Sequence, residues 1–428
     1  MELTTIKKPT PIPAVSTIHV ASAKAKSNLN IAFIICFVSI MFSGIASMLM
    51  SVYLPVVVKG LLGNVTEEKI NNVGAYINSV FIFGSMIGGF AWGFICDKIG
   101  RSKAVALSTA LYGLFMLLTA FSPSWLMIGI YRFITGFGVG GVLVTSNILV
   151  AELWPEKKRA VAIGIVSSAM PVGFIVAGAM NNLLSDWHHA FLTGIVPFAV
   201  AIVAAFLLPE SESWKSNKQA PLNDTDFSRK LFAADYKENL LKGSIIFGTM
   251  LIGLWAVFSW APTWIESITG NAEKAKNLRG LTMMVLAISG LGGSIISGWV
   301  ANAMGLRKTM MVCFAASFIM TYVVFKLNTS VSTATFVEMG ILAFFFGISQ
   351  GALSVYIPSL FPTVVRASAT GFCFNIGRLF TATVVFFIGA LVSFLGGYGN
   401  AIFIFSFVFI IGFISTLVGK ESSKFYHE

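Results

Sequence analysis

Two arginines stand inside stretches that carry almost no other charge: Arg132 in WLMIGIYRFITGFGVGG and Arg378 in GFCFNIGRLFTATVVFFIG. A guanidinium at the centre of a membrane helix costs about 2.5–3.5 kcal/mol on insertion scales, so such a residue ordinarily faces a central cavity or a protein partner. Its natural chemistry there is to hold an anion such as a carboxylate through paired N–H donors. The plainer alternative is an arginine spent on backbone carbonyls.

Other polar groups share those faces. Gly136 and Gly140 follow Arg132 at i+4 and i+8, leaving a narrow small-residue face beneath it. Asn147 falls about 60° off that face at 100° per residue. Asn375 precedes Arg378 by three residues and shares its side. Gln350 is a further costly polar group within an apolar run. Trp255 is placed deeply enough to stack on a ligand, whereas Trp260 and Trp264, one turn apart near a helix end, suit an aromatic belt. Arg132, Asn147, Trp255, Gln350, Asn375 and Arg378 form the candidate substrate-binding set, and each Asn or Gln competes with a role as interhelical glue.

Those side chains need helices in lipid. Of 428 residues 56% are hydrophobic and 11% charged, with a mean hydropathy of +0.83. A soluble chain is about a quarter charged, so lipid must be the solvent. The net charge of +11 does not build a basic face. The cations sit between apolar runs, which argues against a nucleic-acid partner. Four cysteines and four histidines show no metal-ligand spacing, and no cofactor is expected.

Twelve apolar runs of spanning length are read at about 29–58, 74–96, 104–122, 125–151, 160–183, 189–208, 243–265, 281–303, 309–327, 333–357, 368–395 and 399–418. The fold class expected is an all-α membrane protein of twelve helices in two pseudo-symmetric six-helix bundles. The expected divisions are a cytoplasmic tail at 1–28, a first bundle at 29–208, an aqueous linker at 209–241, a second bundle at 242–420 and a tail at 421–428. The first run exceeds a signal-peptide core and is read as a retained helix. Of the 29 Lys and Arg, 21 fall on the side of the termini and linker, 6 on the other, and the last two are Arg132 and Arg378. The excess places both termini in the cytoplasm, with the chain integral to the plasma (inner) membrane.

The halves repeat. Gly93-x3-Asp97-Lys98-x-Gly100-Arg101-x-Lys103 recurs 205 residues later as Gly298-x3-Asn302-x2-Gly305-x-Arg307-Lys308. Glu152-Leu153-Trp154-Pro155-x3-Arg159-Ala160 recurs 207 residues later as Ser359-Leu360-Phe361-Pro362-x3-Arg366-Ala367. Two loops repeated in register are the mark of parallel six-helix halves. Gly93 is expected to continue the close-packing run Gly84, Gly88 and Gly89.

GFICDKIGRSK resembles the 2–3 loop signature of the major facilitator superfamily. YRFITGFGVGG with AELWPEKKRA, and LLPESESW, resemble its sugar-porter and organic-acid branches. LFPTVVRASATGFCFNIGR is similar to helix 11 of its metabolite:proton symporters, including the aromatic-acid and sialate groups. The resemblance implies a transporter working by alternating access, with Asp97, Arg101, Glu152, Arg159 and Arg366 in a cytoplasmic gate. Ordinary topology determinants are the plainer reading, and for Lys103, Lys157 and Lys158 the preferred one.

Symporters of these branches carry acids in helix 1, but FSGIASMLMSVYLP has none, with Ser43 and Ala46 near those places. Glu338 is therefore the candidate coupling acid, against a pore-mouth role. Two embedded arginines favour a small organic anion, a carboxylate or sugar acid. A neutral sugar or polyol, a facilitator without protons, and a non-transporting nutrient sensor are the alternatives. No HExxH, clustered ligand set or nucleophile–base pattern suggests an enzyme. The expected partners are the substrate, protons if transport is coupled, and the lipid bilayer, with the monomer as the working unit.

Overall fold

The computed structural model describes the backbone at 15–63, 65–217, 234–269, 272–361 and 363–418, and side chains there except at 15–28, 156–161, 213, 216–217, 234–235, 272 and 363–368. Among the described residues twelve helices are long and apolar enough to cross a membrane. They are α1 Leu29–Leu62, α2 Glu67–Ile99, α3 Arg101–Thr119, α4 Trp125–Leu153, α5 Ala162–Leu183, α6 Trp187–Leu207, α7 Tyr236–Thr269, α8 Glu273–Met304, α9 Leu306–Leu327, α10 Thr333–Ser359, α11 Ala369–Phe394 and α12 Tyr398–Val418. We call the side on which α1 begins and α12 ends the terminal side, and the opposite one the far side.

Local chemistry sets the helix ends. Thr66, Ser124 and Ser332 cap α2, α4 and α10 through their hydroxyls. Gly100 and Gly305, with φ of 104° and 83°, turn α2 into α3 and α8 into α9, a conformation that suits glycine at equivalent points of the repeat. The α7 helix begins earlier than hydropathy suggests. Its first turns carry Tyr236, Lys237, Glu238 and Lys242, polar residues that leave the hydrocarbon while the helix continues.

Glycine lets helices approach where lipid offers no hydrophobic drive. A Cβ on Gly84 or Gly136 would strike the backbone of the facing helix, joining α2 to α4. Gly293 and Gly347 do the same between α8 and α10. Gly93 corrects the expectation drawn from its neighbours: a Cβ there would meet nothing within 4 Å, so it packs against no helix.

The two bundles meet on the far side through contacts related by the same pseudo-symmetry. Gly389 of α11 packs on the Asn71 carbonyl of α2, and Gly178 of α5 packs on the Gly280 carbonyl of α8. The Asn181 amide donates to the Lys276 carbonyl at 2.6 Å, Ser79 donates to the Ala382 carbonyl at 2.7 Å, and the Tyr398 hydroxyl bonds Asn71. The far side is closed. Replacing Gly178 or Gly389 by Val should overpack these contacts at about 1–3 kcal/mol, a roughly 5- to 150-fold shift toward opening. Spin-label distances across the far-side ends of α2 and α11 should lengthen, and unchanged distances would show that the glycines do not set the closure.

Candidate functional site

Arg132 is 1% exposed. Its Nη1 donates to the Ala46 carbonyl at 2.5 Å and its Nη2 to the Ser47 carbonyl at 3.4 Å, both on α1. The guanidinium carbon stands 4.0 Å from the centre of the Phe81 ring on α2. Its Nε has no partner. Helix 1 thus offers carbonyl oxygens where the sequence lacks a carboxylate, and in this conformation the arginine is dry.

Arg378 differs. It is half-buried on α11 and donates from Nη1 to the Asn375 side-chain oxygen at 3.2 Å. Asn375 in turn donates to the Gly371 carbonyl at 3.0 Å, which fixes its oxygen toward the arginine. Gly89 of α2 faces both, since a Cβ there would lie 2.8 Å from the Asn375 oxygen and 3.2 Å from Nη1. The pair therefore sits where the two bundles meet, and no described ion pair gives Arg378 a carboxylate.

The other candidates fall into separate places. Trp255 is half-buried, its ring 6.4 Å from that of Phe81, which links α7 to the α2–α4 contact below Arg132. Asn147 donates to the Leu143 carbonyl at 2.8 Å and accepts from Ser167 of α5 at 3.2 Å, an interhelical bond. The Gln350 amide nitrogen is buried without a partner. Trp260 and Trp264 are 1% and 3% exposed and lie inside the protein rather than in a lipid-facing belt. Trp260 stacks on Tyr398 and Trp264 packs against Phe325.

On the terminal side Arg101 pairs with Asp97 at 2.9 Å and with Glu152 at 3.1 Å, all within the first bundle. The side chains of Arg159 and Arg366 lie outside the described residues. Sequence reading missed Glu210. Its carboxylate accepts from the backbone N–H groups of Arg101 at 2.8 Å, Ser102 at 3.3 Å and Ser211 at 3.0 Å, so it serves the start of α3 as a cap. Trp214 donates to the Asp97 carbonyl at 2.8 Å. The first residues of the linker therefore fold back on the 2–3 loop, and LLPESESW carried the signal.

Glu338 is half-buried near the far end of α10 and accepts from the Asn328 amide at 2.6 Å, whose own oxygen accepts from Thr335 at 3.0 Å. A second far-side acid was missed because the predicted seventh run stops at 265. Glu266 pairs with Arg279 of α8 at 2.5 Å and stands 4.0 Å from Lys59 of α1, a pair that crosses between bundles. It borders a cavity of about 390 Å³ lined by residues of both bundles.

Residues 35–382 match the family model described as the Major Facilitator Superfamily. The chain is 28% identical to the cis,cis-muconate transport protein of Acinetobacter baylyi, over 92% of the chain and 94% of that protein. It is 26% identical to a probable 4-methylmuconolactone transporter of Cupriavidus pinatubonensis, over 75% of each. A crystal structure of a D-xylose-proton symporter superposes with a TM-score of 0.75 at 16% identity, covering 92% of this chain and 97% of that one. Glu210→Ala should strip three N–H groups of their charged acceptor and lower the melting temperature, at a cost of about 1–3 kcal/mol. Glu210→Gln should lose less, and equal losses would show that the carboxylate is not the cap.

Proposed function

The chain belongs to the major facilitator superfamily, and on that premise we propose that it carries a small organic anion, a carboxylate or sugar acid, across the membrane by alternating access. It is a transporter and not an enzyme. Arg378 carries the reading: a half-buried guanidinium between bundles, bonded to the neutral Asn375 and to no described carboxylate. In a low dielectric an anion gains most where such a charge is already in place and unpaired. The relatives named for muconate and methylmuconolactone support the same class. A neutral sugar or polyol would not need this charge, and a sensor would show no uptake.

Around Arg378 we place Asn375 and, from other helices, Trp255 and Gln350, whose buried amide nitrogen lacks an acceptor. Asn147 acts through its bond to Ser167. Asp97, Arg101 and Glu152 are the terminal-side gate, bonded inside one bundle while the far side is closed. The same role is proposed for Arg159 and Arg366 from the repeated loop. The lysine and arginine bias supports a cytoplasmic terminal side in the plasma (inner) membrane, and a path within one chain supports a working monomer.

Arg378→Ala should reduce kcat/KM for carboxylate uptake into proteoliposomes roughly 10- to 100-fold, the value of a hydrogen bond to a charged group. Uptake at the wild-type rate would remove Arg378 from the site. Glu338 is the proposed coupling acid, and Glu338→Gln should abolish stimulation of uptake by an inward proton gradient. Stimulation that survives in Glu338→Gln would remove Glu338 from coupling, and no stimulation in the wild type would mark a facilitator.

A further inference from the structure

We infer that the far-side cavity is an entry subsite for a carboxylate, with Arg279 as its anchor and Glu266 as a plug that a proton removes, a step that rests on the anion reading above. The cavity, about 390 Å³, is walled by both bundles. Lys59 of α1 and Glu67 of α2 come from the first, and Thr263 and Glu266 of α7 with Tyr398 of α12 from the second. A space lined by two bodies changes shape when they rock, which ties its contents to the access step.

Glu266 links this space to a buried cation. Its side chain is 23% exposed, lines the cavity and bonds Nη1 of Arg279 on α8 at 2.5 Å. Arg279 is 4% exposed and is not among the lining residues, and its Nε is buried without a partner. From the first bundle, Lys59 stands 4.0 Å from the same carboxylate. One carboxylate therefore serves two cations of opposite bundles, and a donor of the buried one is still unfilled. Such an arrangement is an anion site held by the protein's own side chain.

Charge dictates how cargo would take that place. A second carboxylate brought to Arg279 beside an ionised Glu266 puts two like charges at one guanidinium, which favours a proton on one of them. A proton taken by Glu266 from the far-side solution ends the ion pair, leaves a neutral carboxyl and frees the guanidinium for the cargo. When the cargo moves on toward Arg378, Glu266 returns that proton to the same solution and retakes Arg279, so this proton is not carried across. The other charged and titratable groups nearby are engaged or offset. Lys59 and Glu67 are exposed and opposite in sign, Tyr398 bonds Asn71, Lys276 bonds Ser185, and Glu338 bonds Asn328. Residues 384–394, the far half of α11, carry no charge. Because linkage is reciprocal, a site that gains a proton on binding must bind its anion more tightly in acid.

The test is uptake of benzoate and terephthalate by the full chain in proteoliposomes, with KM measured at equal pH on both sides. From about pH 8 to about pH 6 the wild-type KM should fall at least about fivefold, one linked proton allowing at most about tenfold per pH unit. Glu266→Gln, which mimics the protonated acid, should hold the low KM throughout, and Glu338→Gln should keep the wild-type slope. Arg279→Gln should raise KM about tenfold or more, the value of a charge-assisted anchor. A wild-type KM that does not move with pH would overturn the inference, and that measurement needs no variant to fold. An unchanged slope in Glu266→Gln would also overturn it, by placing the linked proton elsewhere. If neither acid nor any carboxylate of a wider panel is taken up, the anion reading itself fails and this step with it. Carboxylate uptake with a flat KM sinks the entry subsite alone.

Discussion

A charge in hydrocarbon must find a partner or reach water, and the way each cation of this chain meets that demand orders the rest of the structure. Arg101, at the membrane edge, has two carboxylates. Arg279, 4% exposed, has Glu266. Arg132 is held by two helix carbonyls and an aromatic face, which is enough to keep it buried but leaves its Nε unbonded. Arg378 has one neutral amide and a half-open position where the bundles touch. Its charge is the least compensated of the four. That difference, rather than depth alone, is what marks Arg378 for the proposed anion.

The scaffold that places these groups is a set of close backbone approaches repeated by the pseudo-symmetry. Gly84 and Gly136 knit α2 to α4, and Gly293 and Gly347 knit α8 to α10, giving each bundle a rigid pair of helices. Across the bundles the same helices exchange partners, α2 with α11 and α8 with α5, through Gly389 and Gly178. Rigid pairs that meet across the bundles along α2 with α11 and α5 with α8 can rock as bodies about those contacts, which alternating access needs. The Asp97–Arg101–Glu152 cluster, clamped by Glu210 and Trp214, makes the terminal corner of the first bundle one such body. The second bundle uses a different device, with Arg307 bonding the Thr416 carbonyl at the end of α12.

All twelve spans were legible because lipid demands about twenty apolar residues per crossing, a signal that survives without any knowledge of contacts. The repeated loops disclosed the two halves for the same local reason. Side-chain direction was not legible. Arg132 and Arg378 have the same cost and the same chemistry in sequence, and only packing shows one against α1 and the other between bundles. Trp260 and Trp264 read as belt residues because hydropathy cannot distinguish a lipid-facing ring from one stacked on Tyr398 or set against Phe325. Gly93 belonged to a glycine run but points where no helix passes. Glu266 lay one residue beyond a predicted end, and Glu210 at the start of a charged linker, so the ion pair and the cap they form depended on partners far along the chain.

The most direct measurement is an experimental structure of the protein loaded with a transported carboxylate. The account expects the carboxylate between the bundles, about 2.7–2.9 Å from an Arg378 guanidinium nitrogen as charge-assisted pairs are, with Asn375 beside it. A ligand seated elsewhere, with Arg378 still bonded to Asn375 alone, would contradict it.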